Sequence, residues 1–294
     1  MFYRRKIILG LIEQLGGEIE KLRLQKLLFL YAMQKQQPEY DFVPYKFGCY
    51  SFSVHADLVT MVKKGILSET EKSYAKVDVR NYFNLLKPSD KELLKQVLSN
   101  YGNMNQNTLI KHTYINYPFY ATNSTIVDKI LEPKYLERVK KAKPFNDTIV
   151  LFTIGYEGIS LEKYLQKLLF NDVKLLVDVR RNPLSMKYGF SKTALKKYCN
   201  SIGIEYVHLP ELGIQSDKRK NLTTQNDYNK LFEEYERTTL KETLHSQLKI
   251  LNMLKQNKRI ALTCFEAEPC QCHRTRLAQA LKKLPEFKYE VRHI

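Results

Sequence analysis

A series of short apolar runs in the second half of the chain constrains the fold most strongly. Each run is followed by a stretch in which apolar side chains recur at helical spacing. Strands that are apolar on both faces are typical of parallel sheets covered by helices. We therefore predict an α/β domain with a mostly parallel, Rossmann-like sheet over residues 148–294. Its strands are predicted at residues 149–154, 173–179, 205–209, 260–262 and 289–294.

The first half of the chain has the pattern of three helices followed by a hairpin. Helices are predicted at residues 4–15 and 21–35, and a third one is predicted from Ser53, as N-cap, to Lys64. Residues 68–79 then have the pattern of two short strands. This order predicts a mainly α, winged-helix-like and helical domain at residues 1–133.

A basic segment separates the two halves. Residues 134–147 are rich in lysine and arginine and contain Pro144, so we predict a basic linker or helix there.

Basic side chains on the third helix and the hairpin are candidate contacts to nucleic acid, because these elements touch the groove and the backbone of DNA in winged helices. A small helical domain with solvated lysines, or a winged helix that binds protein, fits the same pattern. The segments RLQKLL (23–28) and PYKFG (44–48) also resemble the antitoxin-like domains related to the proteolytic adaptor SocA. The candidate nucleic-acid contacts are Lys63, Lys64, Lys72, Lys76 and Arg80.

The charge balance favours a polyanionic partner. The net charge is +17, and residues 1–143 carry 23 basic and 14 acidic side chains, which leaves about +9 there and about +8 in the rest. Both halves are therefore basic, as expected of a protein that binds nucleic acid. A lysine-rich proteome would give the same balance without such a partner.

Cysteine usage and the absence of a long apolar segment predict a cytoplasmic protein. The five cysteines are odd in number and unevenly spaced, which is typical of a reducing compartment. The apolar run at residues 7–12 is too short for a signal peptide or a membrane span.

Polar side chains gather where the predicted strands end. Because the carboxyl ends of parallel strands meet at one edge of a sheet, we expect these side chains to form one pocket. Glutamates and a histidine are candidates for acid–base or nucleophilic catalysis, and arginines suit an anion. Asp178 could instead be the partner of a neighbouring arginine or loop amide. The catalytic candidates are Glu157, Glu211, Glu266 and His273, and the anion- or substrate-binding candidates are Tyr156, Asp178, Arg180, Arg181 and Arg274.

Four ordered motifs carry a family resemblance. TIGYEG (153–158), LVDVRRNP (176–183), GIEYVHLPELG (203–213) and CFE…CHR (264–274) are similar to the domain-of-unknown-function 488 family. The resemblance covers roughly the C-terminal half. It implies a Rossmann-like α/β domain with these motifs at one edge, and it implies no established reaction.

Three interpretations compete for the cysteines near the end of the chain. Cys270 and Arg276 have the Cys-x5-Arg spacing of cysteine phosphatases, but the loop lacks the glycines that wrap an oxyanion. Cys264, Cys270, Cys272 and His273 could instead bind zinc, although their spacing matches no zinc finger or ribbon. The third interpretation is ordinary packing of Cys264 and Cys272, and the working assignment includes no metal ligand.

A basic loop at residues 213–221 follows the third predicted strand of the second half. It could steer a phosphate-bearing substrate to the pocket, or it could be a solvated surface loop.

Together these features predict a nucleic-acid-associated protein whose α/β pocket processes a nucleotide, base or sugar-phosphate, for example at a glycosidic bond. The alternative is a non-catalytic DNA-binding regulator or defence-system sensor that recognises a nucleotide-like ligand. No membrane partner is expected, and the sequence assigns neither a cofactor nor an oligomeric state.

Overall fold

The computed structural model describes residues 1–215 and 222–294. These residues form two compact units, Met1–Lys143 and Pro144–Ile294. Among the helices of the described residues, none has both the length and the apolar character that a transmembrane span requires.

The N-terminal unit is mainly helical. Its helices are α1 Tyr3–Gln14, α2 Lys21–Ala32, α3 Phe52–Lys63, α4 Pro88–Tyr101, α5 Gln106–Asn116, α6 Val127–Ile130 and α7 Pro133–Ala142. Its strands are β1 Glu18–Glu20, β2 Val43–Tyr45, β3 Gly48–Tyr50, β4 Leu67–Glu69 and β5 Ser73–Lys76.

Three of these strands form a small antiparallel sheet in the order β1-β5-β4, and β2 pairs with β3 in a separate hairpin. Helices α1 and α2 pack into a common core with α3, because each carries apolar side chains at helical spacing. A buried carboxylate ties α3 to α1, since Asp57 forms ion pairs with Arg4 and Arg5, each at 2.7 Å. The N-cap of α3 is Ser51 and not Ser53, because the Ser51 hydroxyl accepts the Val54 amide at 3.3 Å.

The C-terminal unit alternates strands and helices. Its strands are β6 Val150–Gly155, β7 Leu175–Asp178, β8 Glu205–His208, β9 Arg259–Cys264 and β10 Glu290–His293. Its helices are α8 Leu161–Phe170, α9 Lys192–Ser201, α10 Gln225–Arg237, α11 Thr239–Glu242, α12 Leu244–Asn257 and α13 His273–Lys282.

All five strands of this unit are parallel, in the order β10-β6-β9-β7-β8, which confirms the predicted parallel sheet. Every residue of β6, β7 and β9 is buried, as their continuous apolar sequences predict. The helical segment before β9 is divided into three helices, α10, α11 and α12. Two threonines mark the breaks, because the hydroxyls of Thr238 and Thr243 donate to carbonyls four residues earlier and favour a bend.

The register brings the ends of four strands to one edge. Asp178 pairs with His208 on one side and with Thr263 on the other, and Gly155 pairs with Cys264. The turns that follow β6, β7, β8 and β9 therefore leave the sheet together, and the candidate site is built from them.

Candidate functional site

A cavity of about 430 Å³ lies at the carboxyl edge of the sheet. It is lined by side chains from the turns after β6, β7 and β9, by the start of α13 and by one residue after β8. These residues are Tyr156, Arg180, Arg181, Asn182, Leu184, Ser185, Met186, Ile214, Cys264, Phe265, Glu266 and His273. The structure thus brings together five of the predicted site residues: Tyr156, Arg180, Arg181, Glu266 and His273.

Two glycines allow the turns to approach each other closely. A Cβ atom on Gly155 would lie 1.9 Å from the Glu266 carbonyl oxygen, and one on Gly213 would lie 2.0 Å from the Arg181 amide nitrogen. No side chain fits at these distances, so glycine is required for the turns after β9 and β7 to reach their positions.

A buried ion pair supports one wall of the cavity. Arg180 donates from Nε to Asp178 Oδ1 at 2.8 Å and from Nη2 to Oδ2 at 2.5 Å. The Tyr206 hydroxyl also donates to Asp178, at 2.6 Å, and the Arg180 amide does so at 3.1 Å. Asp178 therefore serves as the partner of an arginine and a loop amide, which was one of its two expected roles.

The remaining guanidinium nitrogen of Arg180, Nη1, forms a hydrogen bond with Tyr156. Arg180 Nη1 donates to the Tyr156 hydroxyl at 2.7 Å and to the Phe190 carbonyl at 2.9 Å, and the Tyr156 ring stacks on Phe190 at 4.3 Å. Burial alone would lower the pKa of Arg180, but the Asp178 carboxylate outweighs it and the pKa is raised, so the guanidinium keeps its charge. Burial raises the pKa of the Tyr156 hydroxyl, which stays protonated at neutral pH.

Two arginines that were expected to grip an anion have internal partners instead. Arg180 is used as just described. Arg274 is 1% exposed and donates to the main-chain carbonyls of Glu266, at 2.5 Å, and Ala267, at 3.0 Å. Both guanidinium groups can be buried because they form hydrogen bonds to carboxylate or carbonyl oxygens inside the fold. Their role is therefore to position the turns after β7 and β9.

Arg181 is the arginine that faces solvent. Its side chain is exposed, and among the described residues its guanidinium makes one long hydrogen bond, to the Pro210 carbonyl at 3.5 Å. It also lines a neighbouring cavity of about 370 Å³ that contains Glu211. Arg181 is therefore the guanidinium best placed to bind an anion at this edge.

The three candidate glutamates occupy different places. Glu266 is half-buried and lines the site cavity. Glu157 is exposed outside it and accepts the Ala267 amide at 3.1 Å, so it braces the turn that carries Glu266. Glu211 lines the neighbouring cavity and accepts the Ser246 hydroxyl at 2.5 Å.

Four potential metal ligands cluster at the cavity, and three of them, Cys264, Glu266 and His273, line it. The nearest donor atoms of Cys264, Glu266, Cys272 and His273 all lie within 4.8 Å of one another. Cys264, Cys272 and His273 are buried. Burial, and after it the neighbouring Cys264 thiol, raise the pKa of Cys272 well above its ordinary value, so without a cation Cys272 is a neutral thiol rather than a nucleophile.

Cys270 does not join this cluster. It is exposed on the turn before Cys272, and Arg276 pairs with Glu236 at 3.4 Å. The geometry is therefore not that of a phosphatase loop, in which the cysteine and the arginine share an anion. Cys270, which the sequence offered as a possible zinc ligand, is therefore not part of the cluster of potential metal ligands.

A lysine that contacts the turn after β6 was not among the site residues predicted from sequence. Lys187 donates to the Tyr156 carbonyl at 2.6 Å, and burial lowers the pKa of its ammonium group. It lies in an irregular stretch between β7 and α9, where no periodicity indicates which side chains point inward.

The basic residues predicted to contact nucleic acid fall into two groups. Lys63, Lys64, Lys72 and Arg80 are exposed at the end of α3 and around the β4–β5 hairpin. Lys76 is half-buried, pairs with Glu13 at 3.3 Å and lies over the Tyr82 ring, so it stabilises the unit internally. Of the predicted basic loop at residues 213–221, residues 216–221 lie outside the described part of the chain.

A comparison with protein families identifies part of the C-terminal unit. The model of the family described as "Domain of unknown function DUF488" matches residues 160–281. The comparison with curated proteins found no match. Three of the four motifs lie within the matched range, and TIGYEG (153–158) precedes it. The SocA-like resemblance of the N-terminal half stays a prediction. For residues 160–281, in the C-terminal half of the chain, the match confirms the resemblance to the DUF488 family.

Proposed function

We propose that this is a cytoplasmic, nucleic-acid-associated protein whose C-terminal unit binds and processes a nucleotide, base or sugar-phosphate. The observation that carries the proposal is the cavity where three parallel strands end, because ligands of open α/β sheets bind at that edge. The five-stranded parallel sheet with helical crossovers supports the Rossmann-like interpretation.

The lining of the cavity favours a ligand with both an anionic and an apolar part. Arg181 offers an exposed guanidinium, which is suited to bidentate phosphate contacts. Leu184, Met186 and Phe265 line the same cavity and are exposed to solvent. A phosphate held by Arg181 and a base or sugar held against these apolar side chains would use both features.

The chemical step is assigned to Glu266. It is the one of the three candidate glutamates that lines the site cavity, and the Cys264 thiol donates to its Oε2 at 3.0 Å. A carboxylate in a partly dry cavity is suited to proton transfer, including at a glycosidic bond.

The N-terminal unit supplies the nucleic-acid contact in this proposal. Three helices and the three-stranded sheet occur in the order α1-β1-α2-α3-β4-β5, with the β2–β3 hairpin inserted between α2 and α3. The sheet order is β1-β5-β4, and this arrangement supports the winged-helix interpretation. The exposed lysines at the end of α3 and on the hairpin would lie against phosphates.

Replacing Arg181 tests the ligand-binding part. We expect wild-type protein to bind at least one of adenosine monophosphate, guanosine monophosphate and ribose 5-phosphate by calorimetry. R181A should bind it about 10- to 100-fold more weakly, since a charge-assisted hydrogen bond contributes about 1.5–3 kcal/mol. R292A, which removes an exposed arginine from strand β10, should bind like wild type. Equal affinity of R181A and R292A, or no binding of any of these compounds to wild type, would contradict the proposal.

The alternative function is a DNA-binding regulator or defence-system sensor that only recognises a nucleotide-like ligand. An assay for conversion of the same three compounds distinguishes it from an enzyme. The enzyme interpretation expects wild type to convert the bound compound and E266Q to lose that conversion while it keeps DNA binding. A ligand that is bound and released unchanged by wild type would favour the sensor.

A further inference from the structure

We propose that Cys264, Cys272, His273 and Glu266 form a binding site for one divalent transition metal ion of the zinc class. The site goes beyond the proposed function, since it stands whether or not the cavity binds a nucleotide. Strand β9 supplies Cys264, the following turn supplies Glu266, and the start of α13 supplies the other two.

The distances between donor atoms suit a tetrahedral ion. Bonds of about 2.3 Å to sulfur and about 2.0–2.2 Å to nitrogen or oxygen place neighbouring ligand atoms about 3.4–3.8 Å apart. Cys264 Sγ lies 3.5 Å from His273 Nδ1 and 3.0 Å from Glu266 Oε2, and Cys272 Sγ lies 4.0 Å from His273 Nδ1. All donor atoms lie within 4.8 Å of one another, so side-chain adjustments of up to about 1 Å would bring the four of them to tetrahedral spacing.

The orientation of the imidazole is that of a metal ligand. His273 Nε2 lies 3.0 Å from the Val179 carbonyl, which can only accept, so Nε2 carries the proton. Nδ1 then presents its lone pair to the two sulfurs. A histidine that donates its other N–H to a carbonyl is the usual second-shell arrangement at metal sites. The Tyr235 ring packs edge-on against the imidazole at 5.6 Å and fixes its plane.

The charge balance at the site is compatible with a bound ion. Two thiolates, a carboxylate and a divalent cation sum to −1. Arg274 is buried and directly follows His273 in the chain. Arg274 donates to the carbonyl oxygens of Glu266 and Ala267, and its Nε has no hydrogen-bond partner among the described residues. The positive charge of the Arg274 guanidinium would make the metal-loaded site neutral. Neutrality matters because an uncompensated charge is costly to bury.

The donor set selects the kind of ion. Two sulfurs and one imidazole nitrogen favour Zn²⁺ and similar borderline ions over Mg²⁺ or Ca²⁺, which prefer oxygen ligands. Three of the ligands are buried, whereas Glu266 is half-buried and faces the cavity. Glu266 is therefore the ligand that water or a bound compound can displace, and displacement would free its carboxylate for the proton transfer assigned to it above.

Metal content and cobalt spectroscopy of the full-length protein test the site. We expect one Zn²⁺ per chain by elemental analysis. Co²⁺ added to the metal-free protein should give a thiolate charge-transfer band and tetrahedral d–d bands. C272S and H273A should weaken Co²⁺ binding by more than the roughly 10- to 100-fold typical of second-shell changes. E266A should keep one Co²⁺ with lower affinity and an altered visible spectrum, because water replaces the carboxylate.

Matched controls make the outcome decisive. C270S removes the exposed cysteine of the same loop and should bind Co²⁺ like wild type. The site is wrong if wild type gives no tetrahedral Co²⁺ spectrum, if C272S binds as tightly as C270S, or if mass spectrometry finds a Cys264–Cys272 disulfide in place of the ion. R181A should retain the metal, so a failure of nucleotide binding and a failure of the metal site are distinguishable.

Discussion

At the scale of single residues, the Asp178–Arg180 pair organises the cavity wall. Both side chains are almost completely buried, and removing two charges from water is costly unless each is fully bonded. Asp178 accepts from Arg180 and Tyr206, and Arg180 extends the network to Tyr156 and the Phe190 carbonyl. The pair therefore fixes the turn after β7, which carries Arg181.

Substituting Asp178 tests this role. D178N leaves the Arg180 charge buried without a carboxylate, so we expect a loss of about 3–5 kcal/mol in the free energy of unfolding, measured by urea denaturation. Y206F removes one hydrogen bond to the same carboxylate and should cost about 0.5–1.5 kcal/mol. E290Q, which breaks an exposed pair with Arg292, should change little. If D178N were as stable as E290Q, the pair would not support the fold.

The sequence indicates that Asp178 pairs with a neighbouring arginine, but it does not indicate which of the two arginines is paired and which is exposed. Arg180 and Arg181 are adjacent and chemically identical. The path of the chain just after β7 turns the first inward to Asp178 and the second to solvent. Only the backbone conformation of that turn decides which one is available to a ligand.

At the scale of elements, the strands of the C-terminal sheet were the most predictable part. Continuous apolar runs predict β6, β7 and β9 because both faces of these strands are covered. In contrast, β1, β2 and β3 each have three residues, too few to show an alternating pattern, and they were missed.

The position of the site follows from strand direction, whereas its composition does not. Parallel strands predict that Tyr156, Arg181, Glu266 and His273 meet at one edge, and they do. The turn after β9 then folds against Gly155 and turns Glu266 towards the buried sulfurs. The sequence names Cys264, Cys272 and His273 as possible zinc ligands because they are close together in the chain. It does not indicate that Glu266 replaces Cys270 in the cluster, because the packing against Gly155 joins residues more than a hundred positions apart.

At the scale of the whole molecule, the positive charge is shared by both units. The N-terminal residues 1–143 carry about +9 of the net +17, and the exposed lysines around α3 and the hairpin belong to that excess. A polyanion bound by this unit would release condensed counterions, which makes its affinity depend on salt.

A salt titration of duplex DNA binding tests the N-terminal proposal. The combined variant K63A/K64A/K72A should weaken binding and reduce the slope of log K against log[salt] by about 2–3, since each phosphate contact contributes about 0.9. The variant K95A/K129A/K134A removes the same charge from exposed lysines elsewhere in the unit and should have a smaller effect on the slope. Identical slopes for the two triple variants would show that the charge acts without a defined contact surface.

A crystal structure of the full-length protein with a bound nucleoside monophosphate would test the central claim most directly, namely that ligands bind where the strands of the parallel sheet end. We predict phosphate oxygens within hydrogen-bond distance of the Arg181 guanidinium and the nucleoside against Phe265, in the cavity that Glu266 lines. A nucleotide bound elsewhere on the C-terminal unit, with this cavity left unfilled at saturating concentration, would contradict the account.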